Sequence, residues 1–200
     1  MASPSIFERI RNRVIWNSNF LVLYDMSCFY ENFALPYINN LDIEELAYED
    51  KFSDKHKKLS GKRIRLVITP LCKGQCITKL VENKEVENIG IAELAIERMS
   101  ADIGVFILGN SVDEGITSKI IKDFKTADKG KYEDAFYIGT ANKYKLPIIT
   151  SEVRDILLWK KYCKNKVINH KKFWGFVDTC DLDDSKFAIK KKFVNYFKDD

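Results

Sequence analysis

Apolar residues in this chain gather in short unbroken runs, separated by longer segments in which they recur every three or four positions. Phe20-Leu21-Val22-Leu23-Tyr24, Ile64 to Thr69, Ile103 to Leu108 and Leu146 to Thr150 each have the length of a strand. A continuous apolar run of that length is what a strand covered on both faces needs, as in a parallel sheet. The intervening segments have helical periodicity. Glu87 to Ser100 sets Ile91, Leu94, Ala95 and Arg98 at helical spacing, Ile116 to Phe124 continues the pattern, and Tyr132 to Tyr144 puts Ala135, Ile138, Gly139 and Asn142 on one face. Such alternation predicts an α/β fold: a three-layer α/β/α sandwich with a central, mainly parallel sheet joined by right-handed crossovers. Two regions fit the pattern less closely. Asp42 to Lys62 is highly charged and reads as a helix plus an exposed loop, and Lys160 to Trp174 has room for one further short strand around Val167-Ile168. Ser185 to Phe197 places Phe187, Ile189, Phe193, Val194 and Phe197 near one face of a docked C-terminal helix.

At 200 residues, the chain has the size of a single domain. The expected division is a core over about 18–158 and a basic, helical extension over 159–200, with no internal repeat or long linker. Hydrophobic residues at 46% and charged residues at 31%, with nine Gly and four Pro, exclude collagen and general disorder and leave enough apolar surface for a core. The longest apolar stretch, Ile103 to Gly109, falls far short of the ~20 residues that span a bilayer, and the first residues lack a secretory pattern. A soluble, cytoplasmic protein is therefore expected. Five scattered cysteines (Cys28, Cys72, Cys76, Cys163 and Cys180) suit reduced thiols better than a disulfide framework, and the Cys72/Cys76 pair lacks the partners a zinc site requires.

A net charge of +4 is too small to identify a partner, because phosphate affinity depends on where cations cluster. Two clusters occur. Lys55-His56-Lys57-Lys58 continues to Lys62-Arg63-Ile64-Arg65, and Lys160, Lys161, Lys164 and Lys166 lie in a lysine-rich stretch with Tyr162, Phe173 and Trp174 among or beside them. Either can follow a phosphodiester backbone, and either can be an ordinary solvated face.

The acidic residues are more informative. In an open α/β sheet ligands bind beyond the carboxyl ends of the strands, where the amino ends of the connecting helices also point. Asp25 directly follows the first strand, Asp134 falls in the first turn of the helix leading to the Leu146 strand, and Glu152 comes just after that strand. Three acids from distant parts of the chain thus reach one edge. Two unit charges ~4 Å apart repel by roughly 4 kcal/mol at an effective dielectric near 20, so a cation between them is expected. Oxygen ligands favour Mg²⁺ or Mn²⁺, which can activate a water and steady charge on a phosphoryl group. Taken singly, each acid also has a plain structural use, as a helix cap, a complement to a helix dipole or an exposed side chain.

Asp25-Met26-Ser27 closing the first strand, followed far along by Glu-Asp-Ala-Phe-Tyr-Ile-Gly-Thr-Ala-Asn-Lys-Tyr-Lys-Leu-Pro-Ile-Ile-Thr-Ser-Glu from Glu133 to Glu152, resembles the PIN-domain nucleases over roughly Phe20 to Asp155. The resemblance implies a PIN-like sandwich and Mg²⁺- or Mn²⁺-dependent endonucleolytic hydrolysis of RNA, leaving 5′-phosphate ends. It implies metal ligation by Asp25 and Asp134, support from Ser27 and Thr150, and Glu152 in the place of the final acid. The chain departs from the family pattern in two places. Neutral Gln75 falls where a Glu is usual, with Glu93 in the next helix as an alternative catalytic acid, and Glu152 replaces Asp, with Asp155 nearby.

Single-stranded RNA is the partner this reading implies, and a homodimer or a protein partner stays open. The alternative from another class is a catalytically degenerate PIN-like fold serving as an RNA-binding or scaffolding module. A Rossmann-like nucleotide or phosphoacceptor domain also places an acid after its first strand. However, the chain has neither G-x-G-x-x-G nor G-x-x-x-x-G-K-[ST]. The only histidines, His56 and His170, both lie in lysine-rich segments, which argues against a histidine-based hydrolase.

Overall fold

The structure, a computed structural model, describes residues 13–39, 58–59, 61–108, 114–127 and 132–198. Most of the charged stretch Asp42 to Lys62 lies outside the described residues, as do Lys55 to Lys57.

After helical residues 13–18 (α1), strand β1 (Phe20–Tyr24) enters the centre of the molecule. Helix α2 (Met26–Phe29) follows and continues through a π-helical turn (Tyr30–Ala34) into α3 (Leu35–Ile38). Next come β2 (Ile64–Ile68), α4 (Pro70–Glu82), α5 (Ile89–Asp102), β3 (Phe106–Ile107), α6 (Glu114–Ala127) and α7 (Tyr132–Tyr144). The chain then forms β4 (Ile148–Thr150), α8 (Val153–Trp159), β5 (Val167–Asn169), α9 (His170–Asp178) and α10 (Lys186–Tyr196). The five strands form one sheet in the order β3-β2-β1-β4-β5, and all four pairings are parallel. This is the three-layer α/β/α architecture expected from the alternation. Among the described residues, no helix is long and apolar enough to cross a membrane.

Every residue of β1 is buried, as a central strand with helices over both faces requires. Its register brings Leu23 beside Val67 of β2 on one side and Ile148 of β4 on the other, so all three strands end at a common carboxyl edge. The strand-to-helix turns at that edge are closed by short polar side chains. Asp25 accepts from backbone N–H groups of α2, Thr69 from the Cys72 N–H of α4 at 3.0 Å, and Asn169 from the Lys171 N–H of α9 at 2.9 Å.

Three local expectations are corrected. The third strand spans only Phe106–Ile107, because Ile103 is taken as the C-cap of α5 and Gly104, at φ +67°, turns the chain into the sheet. On α5 the buried side is Ala92, Ala95, Ile96 and Met99, leaving Leu94 exposed. On α10 the docked face is Ile189, Phe193 and Phe197, spaced four apart, while Phe187 is 77% and Val194 58% exposed. The stretch after residue 159 is built into the sandwich: β5 pairs with β4, and α9 and α10 bring Phe176 and Phe193 against Phe20 of β1, with Phe197 packed on both. Within that group, ring centroids stand 5.3 Å apart for Phe176 and Phe193 and 4.9 Å apart for Phe193 and Phe197.

Removing a fully buried ring leaves a cavity that the surrounding layers cannot close. Phe176→Ala is expected to cost about 3–5 kcal/mol, read as a lower urea midpoint by circular dichroism. Phe187→Ala on the exposed side of α10 is expected to stay within about 0.5 kcal/mol. Equal losses in the two variants would contradict the assigned docking face.

Candidate active site

Strand order reverses between β1 and β4: the chain steps outward from β1 to β2 and β3, then returns to the other side of β1 for β4 and β5. Crossovers of one hand put the two halves' helices on opposite faces, which opens a crevice where the carboxyl ends of the two strands meet. A cleft of about 410 Å³ lies there. Asp25 and Ser27 line it from the end of β1, Asp134 and Glu133 from the first turn of α7, and Glu152 and Asp155 from the start of α8. Gln75 of α4, Tyr137 of α7 and Arg154 of α8 complete much of the wall. Five carboxylates therefore face one guanidinium, and Arg154 leans on Asp155 at 3.8 Å with 84% of its side chain exposed.

Asp25 is the most constrained of these acids, at 6% exposure. Its Oδ1 accepts from the Ser27 N–H at 3.4 Å, and its Oδ2 accepts from the Cys28 N–H at 3.4 Å and the Thr150 hydroxyl at 3.1 Å. Thr150 Oγ1 in turn accepts the Glu152 N–H at 3.3 Å, tying the ends of β1 and β4 together through one hydroxyl. Burial raises the Asp25 carboxyl from its usual 3.8 to about 6; the hydrogen bonds pull it down and nearby Asp155 pushes it up. Behind it, the Cys28 thiol meets His170 Nδ1 at 3.1 Å, linking the turn that holds Asp25 to the first residue of α9.

Glu152 holds the N-cap position of α8, yet its side chain makes no capping bond, unlike Asp25, Thr69 and Asn169 at the corresponding turns. Its carboxylate is exposed at the cleft wall. Gln75 lies in the wall with its Oε1 accepting the Tyr137 hydroxyl at 3.0 Å. Burial, then the neighbouring Cys72 and Asp25, drives the Tyr137 phenol far above its ordinary value, so it stays protonated and remains a donor.

Asp25, Asp134, Glu152, Ser27 and Asp155 are thus gathered in one place, whereas Glu93 is not among the lining residues. Glu93 and Glu97, one turn apart on α5, pair with Lys73 at 3.3 and 2.7 Å on an exposed surface. The helical register that buries Ala92, Ala95, Ile96 and Met99 turns Glu93 outward, so of the two candidates only Gln75 lines the cleft. Glu133, Tyr137 and Arg154 are added by the structure; the position of Glu133 beside Asp134 in the first turn of α7 was the sequence signal for it.

The basic stretches divide in the same way. Lys160, Lys161 and Lys164 are exposed, while Lys166 donates to the Phe197 carbonyl at 2.8 Å. In the earlier run, Lys58 pairs with Asp178 at 3.0 Å and Lys62 donates to the Val177 carbonyl at 2.8 Å, contacts that dock α9. None of the five cysteines forms a disulfide.

Among the described residues, no three His, Cys, Asp or Glu side chains come together as a ready-made metal cage. The donor set is nevertheless all oxygen and strongly anionic. Mg²⁺ retains several waters and is typically held by one or two carboxylates plus substrate phosphates, so a carboxylate-lined cleft fits that mode of binding better than a closed cage. Neither a protein-family model nor a curated protein matches the chain.

The raised Asp25 value has a signed consequence for the metal-free protein. The folded state binds this proton more tightly than the unfolded chain. The Asp25 contribution to stability is therefore complete below pH 3.8 and is lost as pH rises through about 6. Asp25→Asn is expected to raise the unfolding free energy at pH 7.5 by on the order of 2 kcal/mol, read as a higher urea midpoint, and to change it little at pH 4. A midpoint lowered equally at both pH values would contradict this account.

Proposed function

We propose that the protein is a Mg²⁺- or Mn²⁺-dependent endoribonuclease of the PIN-like kind, hydrolysing phosphodiester bonds in single-stranded RNA in the cytoplasm. The observation that supports this most directly is the meeting of Asp25, Asp134, Glu152 and Asp155 in one cleft at the reversal of strand order. Asp25 and Asp134, with Glu152, are the residues that would hold the cation. Once bound, a divalent ion supplies an acidified water and neutralises charge growing on the phosphoryl oxygens.

The chain's own residues prepare that site. Thr150 and the Ser27 and Cys28 N–H groups hold the Asp25 carboxylate in one orientation. A carboxyl that loses its proton only near pH 6 takes up a cation in competition with that proton, so metal affinity falls below that pH. Glu152, untied by any cap, can swing toward the ion or the substrate.

A second reading rests on Gln75, a neutral amide already engaged by Tyr137. With one negative ligand fewer, cation affinity drops, and the fold would then serve as an RNA-binding or scaffolding module.

Labelled single-stranded RNA incubated with purified protein and Mn²⁺ separates the two. The nuclease reading expects 5′-phosphate products, near-complete loss in Asp25→Asn and in Asp134→Asn, and about a 10- to 100-fold loss in Thr150→Val, which only supports a ligand. Mn²⁺ should also raise the unfolding temperature of the unsubstituted protein and leave Asp25→Asn unmoved. Cleavage that persists in the double variant would falsify the assignment, and RNA binding without cleavage or metal response favours the module.

A further inference from the structure

On the other side of α8 from the acidic cleft, at the carboxyl end of edge strand β5, lies a second depression of about 280 Å³. Its apolar lining is aliphatic, formed by Val153 and Ile156 of α8 and Val167 and Ile168 of β5. Its rim is polar: Lys160 at the C-cap of α8, Asn169 at the end of β5, and Lys172 in the first turn of α9. The first turn of α8 separates the two depressions. Glu152, Arg154 and Asp155 face the cleft, whereas Val153, Ile156 and Lys160 face the apolar side. A helix with its side chains is only about 10–12 Å across, so the two sites are neighbours of opposite character. One carries five carboxylates; the other carries two ammonium groups and no acid among its lining residues.

The chemistry of this second depression suits an anion attached to a flat apolar group. Its volume lies just below the ~300–1,000 Å³ usual for small-molecule sites, enough for one ring system and too small for a docked helix. Val153, 67% exposed, keeps an apolar surface in water there. Lys160 and Lys172 are both exposed there and offer ammonium donors to a phosphate. Asn169 uses its Oδ1 to cap α9, so its amide NH₂ is the end left to read an acceptor on a ring edge.

We infer that this depression is a nucleotide subsite: it takes the base of the single-stranded nucleotide next to the bond lying over the acidic cleft, while Lys160 and Lys172 hold the adjoining phosphate. The inference rests on reading the cleft as a phosphodiester hydrolase site, but its binding step requires neither metal nor cleavage.

The test uses the full chain carrying Asp25→Asn and Asp134→Asn, in EDTA, titrated with the four nucleoside 5′-monophosphates and with inorganic phosphate. The monophosphates are expected to bind at least about tenfold more tightly than phosphate, with Val153→Asp removing that advantage through like-charge repulsion. For a single-stranded RNA of 12 nucleotides, Lys160→Gln together with Lys172→Gln is expected to flatten the slope of log K against log salt by about 1.4, the value for two phosphate contacts on a single strand. These three side chains are exposed, so the variants should melt like their parent, which circular dichroism checks. Monophosphates that bind no better than phosphate overturn the inference, as does an unchanged salt slope; the first result would make the depression a plain anion or peptide contact. If the unsubstituted protein fails to cleave RNA while monophosphates still bind through Val153, the subsite stands and the hydrolase reading falls. Cleavage undisturbed by Val153→Asp has the opposite meaning.

Discussion

A carboxylate kept almost out of water at the end of the central strand is the constraint around which this molecule is arranged. Asp25 follows β1 at the point where strand order reverses, so its surroundings are set by β4 and α2 together with the helices that bring the other acids. Two backbone N–H groups and the Thr150 hydroxyl offset part of the desolvation cost. The rest remains visible as a carboxyl that ionises only near pH 6. A neutral side chain would fit a purely structural role better, because a fold gains nothing from a buried charge without a counter-charge.

The carboxyl edge uses one structural position in two ways. Asp25, Thr69 and Asn169 each close a strand-to-helix turn by accepting backbone N–H groups, and so are held in place. Glu152 occupies the same position before α8, but its longer side chain makes no cap. Asp25 and Glu152 thus line the same cleft from neighbouring strand ends, one set in orientation and the other without a capping bond. Helix α8 then acts as a partition, with acids on one side and an aliphatic, lysine-rimmed surface on the other.

Gln75 and Tyr137 set the electrostatic balance of the cleft. A glutamate at position 75 would add a charge close to Asp25 and Asp134; the amide adds none, and its carbonyl already accepts the Tyr137 hydroxyl. That phenol stays protonated because burial beside Cys72 and Asp25 opposes its ionisation. That part of the wall is therefore a fixed, neutral hydrogen-bonded pair, and the negative charge of the cleft comes from Asp25, Glu133, Asp134, Glu152 and Asp155.

Local patterns in the chain were enough to place β1, β2 and β4, the helices α5, α6 and α7 and the edge that Asp25, Asp134 and Glu152 share, because strand runs, helical spacing and strand-to-helix turns depend on near neighbours. The buried sides of α5 and α10 were not settled that way. Leu94, Phe187 and Val194 are as apolar as the residues that dock, and only the angle at which each helix meets its layer leaves them in water. The same cause separates Gln75 from Glu93: both lie on helices after β2, but the register of α5 turns Glu93 toward Lys73. Sequence alone marked a short strand around Val167-Ile168 within a basic, helical extension after residue 159. Tertiary structure decided that this strand pairs with β4 to complete the sheet and creates the lysine-rimmed depression, since pairing is formed between residues far apart in the chain.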